Sequence, residues 1–581
     1  MSPRASAREA GGRKVVVVSG RGRFAVAEPI FERGQQLPLA KGSRRVPGGR
    51  MALAEVHRGR ARLLRELGSP KRAGDVLEAL LLDRGLRRGF RARVNDEADE
   101  TARSAPERGG PRRDLTELAT FTVDPATARD FDDAVSTREE DGGVRLWIHI
   151  ADVAAHVHPG SALDAEAYAR ANSTYVPGTV EPMLPPALSS DACSLAPGVE
   201  RLAVTTEMLI SPDGRPSGTS FYRSRIRSDA RLHYDELDEI FAGRERPPEP
   251  VARQIELTRS VAAALAGRRP ESAIVVSGSE PEFHFEDGAV VDAREVSQTE
   301  AHHLIEHLMI LCNSEVAGLL EQRRIPTLYR VHEQPDPQRV AFLVEQLDSL
   351  EIPTPPLPDR LSPTEAGELV GAASRTVVAE AERRGHGREA YTTLVLRALK
   401  QAYYSDRNLG HAGLGSPAYA HFTSPIRRYP DLVAHRGLLS AVGDGEAAPD
   451  PSSVRDAGVH CSAREREAVK TERDADSVCA AFLLERELFE SGWERRFEGE
   501  ISGAVGAGAF VRFGGDLADV YEGFLPARML RGERFELNDT ETALVGLRTG
   551  RELRLGAPVA VCVDAVDAPR GRVDLHPVEW R

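Results

Sequence analysis

With 581 residues, 41% of them hydrophobic and 28% charged, and a mean hydropathy of −0.35, the chain is too long for one core and reads as about three or four globular domains. Apolar runs such as 15–18 and 308–312 fall short of the roughly 18 residues of a membrane span, and the 15–18 run is shorter than the ~7-residue core of a secretory signal. The net charge of −13 speaks against a general nucleic-acid glue, yet it is unevenly spread: 26 Lys and Arg against 14 Asp and Glu give residues 1–114 a charge of +12, which leaves −25 on the remaining 467.

Residues 13–68 alternate short β-rich runs (15–19, 24–27, 51–56) with Gly, Arg and Pro turns, the pattern of a small antiparallel barrel of OB type. Residues 73–90 have helical periodicity, and 91–114 read as a polar, charged linker. From 116 to about 440 strands and helices mix without a fixed repeat. Residues 452–496 read as one or two charged helices, and 497–581 return to short strands and Gly turns, a second small barrel. The five cysteines (Cys193, Cys312, Cys461, Cys479, Cys562) are scattered with no C-x-x-C pair, which disfavours a disulfide framework and a zinc ribbon. A reducing cytoplasm is the simplest compartment, with a transit peptide in the Arg/Ser-rich residues 1–14 as the weaker rival. Arginine outnumbers lysine 71 to 5; guanidinium forks suit phosphate, but coding bias in a GC-rich genome gives the same ratio.

The densest chemistry is in residues 121–135, FTVDPATARDFDDAV, which set Asp124, Asp130, Asp132 and Asp133 between two strand-like segments. Carboxylates this close repel, and some stay protonated near neutrality unless a cation neutralises them. All-oxygen ligands suit Mg²⁺ or Mn²⁺ and leave positions open for phosphate oxygens; the alternative is a solvated acidic turn. An EF-hand is excluded, since Ala126 and Arg129 stand where that loop needs Asp/Asn and Gly. A second signal is HFTSPIRRYPD at 421–431. Pro425 and Pro430 stiffen a loop presenting Arg427, Arg428 and Tyr429, which suit phosphates and a stacked base, although Arg pairs in loops are usually solvated. His303 and His307 stand at i, i+4 on a helix expected over 300–322, but with no third ligand nearby they read as packed or solvated. The Gly-rich 503–515 segment lacks the features of a nucleotide-phosphate loop, and the Arg/Glu run at 464–473 reads as a solvated helix face.

Together with LWIHIADV (146–153), YVPG (175–178), PMLP (182–185), CSL (193–195), EAHHLIE (300–306) and LYRVH (328–332), these two segments resemble the ribonuclease II/ribonuclease R family. The resemblance runs from about 116 to 440 and continues weakly through His460–Ser462. It implies an α+β catalytic domain at 116–450, its sheet and helices forming a channel for one RNA strand, 3′ end first. That domain would be flanked by a cold-shock-like barrel (1–70), a helical and charged linker (71–115), a helical connection (451–496) and an S1-type barrel (497–581). It implies processive, magnesium-dependent 3′→5′ hydrolysis of single-stranded RNA to nucleoside 5′-monophosphates, by a monomer in the cytoplasm, with Mn²⁺ as the substitute ion. Carried over, Asp124 and Asp133 match metal ligands with Asp130 in support, and Asp132 matches the most indispensable carboxylate. Arg427 matches an arginine that grips the terminal phosphates, Tyr175 an aromatic under the 3′-terminal base, and Glu306 a glutamate that positions the last nucleotide.

Three departures stand out. Where one branch of the family has a second clamp aromatic, about eight positions before the residue matching Phe285, this chain has 275–278, VVSG. In the S1-type region Ala507 and Pro526 replace the usual aromatic and histidine, leaving Phe510 as the stacking candidate. The front end has room for one barrel and only Phe24 and Phe31 as aromatics in residues 1–50, so RNA binding there should be mostly electrostatic and salt-sensitive. Two rival readings are a catalytically silent RNA-binding regulator on the same fold, and a metal-dependent nuclease for DNA or dinucleotides.

Overall fold

The computed structural model describes residues 12–20, 25–32, 34–104, 111–275, 279–358, 360–516, 520–530 and 532–578. Strands β1 (Arg13–Ser19), β2 (Val26–Pro29), β3 (Leu37–Pro38), β4 (Met51–His57) and β5 (Arg60–Gly68) form a sheet in the order β3-β2-β1-β4-β5. A parallel bridge from Leu39 to Ala61 draws its edges together, giving the OB-type barrel expected. Because side chains alternate along a strand, Val16, Val18, Ala52 and Ala54 fill the barrel interior. Val15, Met51 and Leu53 face outward into a second cluster that includes helix α1 (Ala73–Asp83). Asp83, at the end of α1, accepts the Val15 N–H at 2.7 Å. Phe24 lies outside the described residues; Phe31 packs at the edge of the second cluster.

The linker expected over 91–114 carries structure. Helix α2 (Ala92–Arg103) buries Val94 and Ala98, one turn apart, against the large central hydrophobic core, and Glu97 accepts the Ala162 N–H at 3.0 Å. A polar segment therefore docks on two small apolar side chains, too few to stand out as a periodic stripe.

Next come β6 (Arg113–Asp114), β7 (Thr120–Asp124), β8 (Asp133–Glu140), β9 (Gly143–Ala151), helix α3 (Ala162–Arg170), the short hairpin β10 (Thr174–Val176) and β11 (Thr179–Glu181), β12 (Glu200–Ile210), β13 (Pro216–Arg227) and β14 (Ala230–His233). Seven of these strands make the central sheet, ordered β14-β7-β8-β9-β12-β13-β6. Most neighbours are antiparallel, but β14 runs parallel to β7 with His233 opposite Asp124. Helices α4 (Tyr234–Phe241) and α5 (Ala252–Ala266), the hairpin β15 (Ser279–Glu286) and β16 (Ala289–Ser297), and helix α6 (Glu300–Arg323) follow. Leu304, Leu308, Cys312, Val316 and Leu320 recur every four residues along α6 and bury that face in the core under the sheet.

Beyond β17 (Tyr329–Val331), helices α7 (Pro337–Ser349), α8 (Pro363–Arg384) and α9 (Arg388–Ala398), β18 (Tyr403–Ser405) and α10 (Tyr429–Val442) complete the central region. Residues 452–496 resolve into one helix rather than two: α11 (Pro451–Ser491) has 41 residues, opened by Asp450 accepting the Ser453 N–H. It spans roughly 60 Å at 1.5 Å per residue. Its first half places Val454, Ala457 and Cys461 in the central core, and its second half places Ala475, Val478, Leu484 and Leu488 in the cluster shared with both barrels.

The C-terminal strands β19 (Arg496–Val505), β20 (Gly508–Phe513), β21 (Tyr521–Pro526), β22 (Phe535–Leu537), β23 (Ala543–Gly546), β24 (Glu552–Arg554), β25 (Pro558–Asp567) and β26 (Arg572–Pro577) include a closed barrel, β19-β20-β21-β26-β25. Arg570, in its last turn, donates to the carbonyls of Ile30 (2.8 Å) and Pro29 (3.2 Å) and to Glu28 (3.1 Å), so the two barrels touch. All five cysteines are buried and unpaired. No helix among the described residues is long and apolar enough to cross a membrane.

Candidate active site

Sheet topology brings the aspartates together at one strand end. Asp124 ends β7, Asp133 begins β8, and the segment between them carries Asp130 and Asp132. One guanidinium staples that segment: Arg231 donates to the carbonyls of Pro125 (3.2 Å), Ala126 (2.7 Å) and Ala128 (3.2 Å) and lies over the Phe131 ring. Ser194 fastens it from the other side, accepting the Phe131 N–H at 3.0 Å and donating to the Arg129 carbonyl at 2.9 Å.

The 421–428 loop is pinned as firmly. Phe422 N–H donates to Asn313, and the Asp431 carboxylate accepts the Ser424 N–H and the Arg428 guanidinium, both at 2.8 Å. Asp132 joins the two segments. Its Oδ1 accepts the Ile426 N–H at 2.9 Å, while its Oδ2, buried and without a hydrogen-bond partner, faces Arg427 Nε at 3.4 Å. The Arg427 side chain itself is about half exposed and lines the cavity.

Burial, with Asp133 second, pushes Asp124 up to about 8; burial pushes Asp133 up to about 6 against the opposing pull of Arg427. Asp132 is also raised well above the usual carboxylate range by burial, with Arg427 working against the shift. Asp124 Oδ2, like Asp132 Oδ2, is buried without a hydrogen-bond partner. Orphaned carboxylate oxygens that resist ionisation together fit a hard divalent cation. The donors are gathered but not closed on one point: no three Asp, Glu, His or Cys among the described residues converge as a ready ligand set. Asp130 is turned aside, accepting the Tyr175 hydroxyl at 3.1 Å.

Asp130 and Arg427, with residues 125–129 between the aspartates, line a cavity of about 3040 Å³. Tyr175 lines it from β10, its backbone N–H donated to Glu472 of α11 at 2.8 Å. Gly178 turns that hairpin at φ 77°, and a Cβ there would stand 3.4 Å from the Phe285 ring across the wall. Glu306 lines it from α6, held by His303 at 3.1 Å and with Arg269 at 3.8 Å. The expected gap in the clamp falls at 276–278, outside the described residues; Val275 is on the cavity wall.

Arg428 and Tyr429 do not reach this wall. Arg428 is spent on Asp431, while Tyr429 is buried edge-on against Tyr168 and donates to Asp164 at 3.1 Å, so both hold the loop rather than a base. Phe510 is exposed on the C-terminal barrel, its ring 5.2 Å from that of Phe524 and outside the cavity. Tyr234 was not anticipated. It follows β14, stacks on His302 with ring centroids 3.8 Å apart, and has its phenol pKa raised by burial and then by Asp133 and Asp124. Only the parallel β14–β7 pairing, invisible in a local motif, brings it there.

Residues 112–444 match the RNB domain. Over 487 residues the chain is 36% identical to ribonuclease R of Vibrio parahaemolyticus, covering 81% of this chain but 56% of that one. Over 539 residues it is 33% identical to ribonuclease R of Aquifex aeolicus, covering 90% and 72%. The apo form of Mycoplasma genitalium RNase R superimposes with a TM-score of 0.88 over 98% of this chain and 90% of that one, at 24% identity. The chain belongs to the RNB family. It spans little more than half the length of the Vibrio relative.

Proposed function

We propose that this chain is a 3′→5′ exoribonuclease that hydrolyses single-stranded RNA processively to nucleoside 5′-monophosphates, as a monomer in the cytoplasm. The observation that carries the reading is the cluster of half-buried Asp124 and Asp133 around buried Asp132, set behind Asp130 and Arg427, which line a cavity large enough for several nucleotides. Mycoplasma genitalium RNase R, of the same fold, has been solved with ribose-methylated single-stranded RNA and with double-stranded RNA.

Asp124 and Asp133, with Asp130 in support, would hold Mg²⁺ or Mn²⁺, which supplies Lewis acidity and charge neutralisation at the scissile phosphate. The protein's own part is positioning. Arg427, half exposed and braced by Asp132, offers its guanidinium to phosphate oxygens. Tyr175 presents a ring to the terminal base, and Glu306 offers carboxylate oxygens to the hydroxyls of the last ribose. Ile426 N–H fixes Asp132, so the aspartate segment and the arginine loop move as one.

A 5′-labelled 30-mer followed in Mg²⁺ and in EDTA, with and without a hairpin, tests the reading. Stepwise shortening from the 3′ end that stops in EDTA is expected. An intact substrate, or internal cuts, would overturn it. Tyr175→Ala should lengthen the limit product, because stacking contributes about 1–3 kcal/mol per base.

A further inference from the structure

Along β20 the outward positions are Phe510 and Arg512, two residues and about 7 Å apart. Phe510 pairs across the barrel surface with Phe524; Arg512 stands in a cross-strand row between Glu500 and Glu522. Phe510 lies outside the cavity, whereas Arg512, Glu500 and Glu522 line it. This row is therefore where the C-terminal barrel meets the rim of the channel.

The rim is built from three parts of the chain, and Arg512 is bonded to all of them. It belongs to the barrel, it pairs with Glu389 of α9, and it donates to Glu295 of the β15–β16 hairpin at 2.6 Å. Glu500 fastens the same joint, accepting the Gly387 N–H at 2.7 Å. Beside Arg512 stand the carboxylates Glu295, Glu389, Glu500 and Glu522, while Arg294 and Arg388 on the same wall pair with Glu282 and Glu382, and Arg397 lies further along α9. Burial, and Glu389 next, push Glu522 above its ordinary value. A polyanion approaching from Phe510 thus meets a negative rim whose central cation is already engaged.

Those engagements are exchangeable. Glu295 and Glu389 are each about 40% exposed against 24% for Arg512, so water competes mainly for the carboxylates, and ion pairs open to solvent contribute little net stability. A phosphate takes a guanidinium in a bidentate fork of greater strength.

We propose that Arg512 is a phosphate-accepting latch at the channel rim. Without RNA it ties the barrel to α9 and the hairpin; a backbone phosphate arriving over Phe510 takes the place of Glu295 and Glu389 on the guanidinium. The inference rests on the single-stranded RNA reading above, and it adds a residue that governs loading rather than chemistry.

Equilibrium binding of a labelled 30-mer and a 5-mer, measured in EDTA across a salt series, tests the latch separately from hydrolysis. Arg512→Ala should weaken the 30-mer about tenfold, the size of one lost charge-assisted hydrogen bond, and leave the 5-mer unchanged. Its slope of log Kd against log salt should be shallower by about 0.7, one phosphate contact. Arg512→Lys should recover part of the loss. Glu389→Gln should tighten the 30-mer, and that gain should vanish when combined with Arg512→Ala, since the glutamate acts through the arginine. A 30-mer affinity and salt slope unaltered in Arg512→Ala would overturn the latch, as would a Glu389→Gln gain that survives without Arg512. If the wild type binds as expected but leaves RNA intact in Mg²⁺, the exoribonuclease reading fails while the latch stands.

Discussion

The two small barrels share an architecture and differ in what they offer RNA. The N-terminal one lies in the segment of charge +12, yet none of its described residues lines the cavity. The C-terminal one sits in the acidic remainder and supplies part of the cavity wall, including Glu500, Arg512 and Glu522. Charge alone would point a polyanion to the first barrel; position places the second at the cavity wall. A basic surface that is not on the path attracts at a distance, through the atmosphere of counterions. A wall on the path acts through individual side chains.

The comparison is cleanest on a chain that cannot cut. Asp132→Asn keeps the side chain's shape but removes its charge beside Arg427, and turnover should fall at least ~100-fold while RNA affinity stays near that of wild type. Comparable turnover would remove Asp132 from the machinery and leave barrel binding inseparable from hydrolysis.

The next largest effect is on stability. Asp124 and Asp133 have folded-state pKa values raised above those of the unfolded chain, so the protonated form favours folding. Their contribution is fully present below about pH 4 and is lost as pH rises through about 6 and then about 8. In EDTA, thermal unfolding should therefore move to lower temperature between pH 5 and pH 8.5 by more in wild type than in Asp124→Asn. Mg²⁺ should raise the wild-type midpoint more at pH 8.5 than at pH 5. An equal magnesium gain at both pH values would mean that the ion binds elsewhere, perturbing neither carboxylate.

For the N-terminal barrel, charge should be removed without disturbing its fold, because Val15, Met51 and Leu53 pack into the cluster with α1. Replacing exposed Arg44, Arg45, Arg58 and Arg60 with Gln should flatten the salt dependence of 30-mer binding by up to about 3 in slope, at roughly 0.7 per phosphate. Cleavage of a 5-mer should be unaffected. Equal damage to the 5-mer would erase the distinction between the barrels.

The smallest effect is at their contact. Arg570→Ala removes the bonds to Glu28, Pro29 and Ile30 and should lower stability by about 1–2 kcal/mol, read by chemical unfolding, with 5-mer hydrolysis intact. No change in stability would mean that the shared apolar cluster alone holds the barrels.

Elements with strong periodicity were legible in the sequence. The valine run of β1, the α1 stripe and the Gly-punctuated C-terminal strands each follow from local pattern. Helix α2 was not, because Val94 and Ala98 are its only buried residues. The unbroken length of α11 also escaped, since Gly458 could have marked a break but stays helical, packed against the Tyr404 carbonyl and Leu328. Within the site, spacing marked Asp124, Asp130, Asp132 and Asp133 as one cluster, and the stiffened loop marked Arg427 together with Arg428 and Tyr429; separate roles within each group came only with the family resemblance. Arg428 and Tyr429 share that loop but point to Asp431 and Asp164, and local sequence does not say which neighbour of an arginine faces the cavity. Tyr234, Arg231 and Ser194 depend on strand order and on contacts across the fold.

The long helix has a mechanical consequence. Because α11 runs without interruption through the catalytic core and the cluster that carries both barrels, the two ends of the protein are joined by a rod, not by a hinge. The channel walls cannot part sideways unless that rod bends or gives up buried contacts at one end. Under the exoribonuclease reading proposed above, a strand would then enter the cavity by its free tip, and a closed circle would stay outside whatever its sequence.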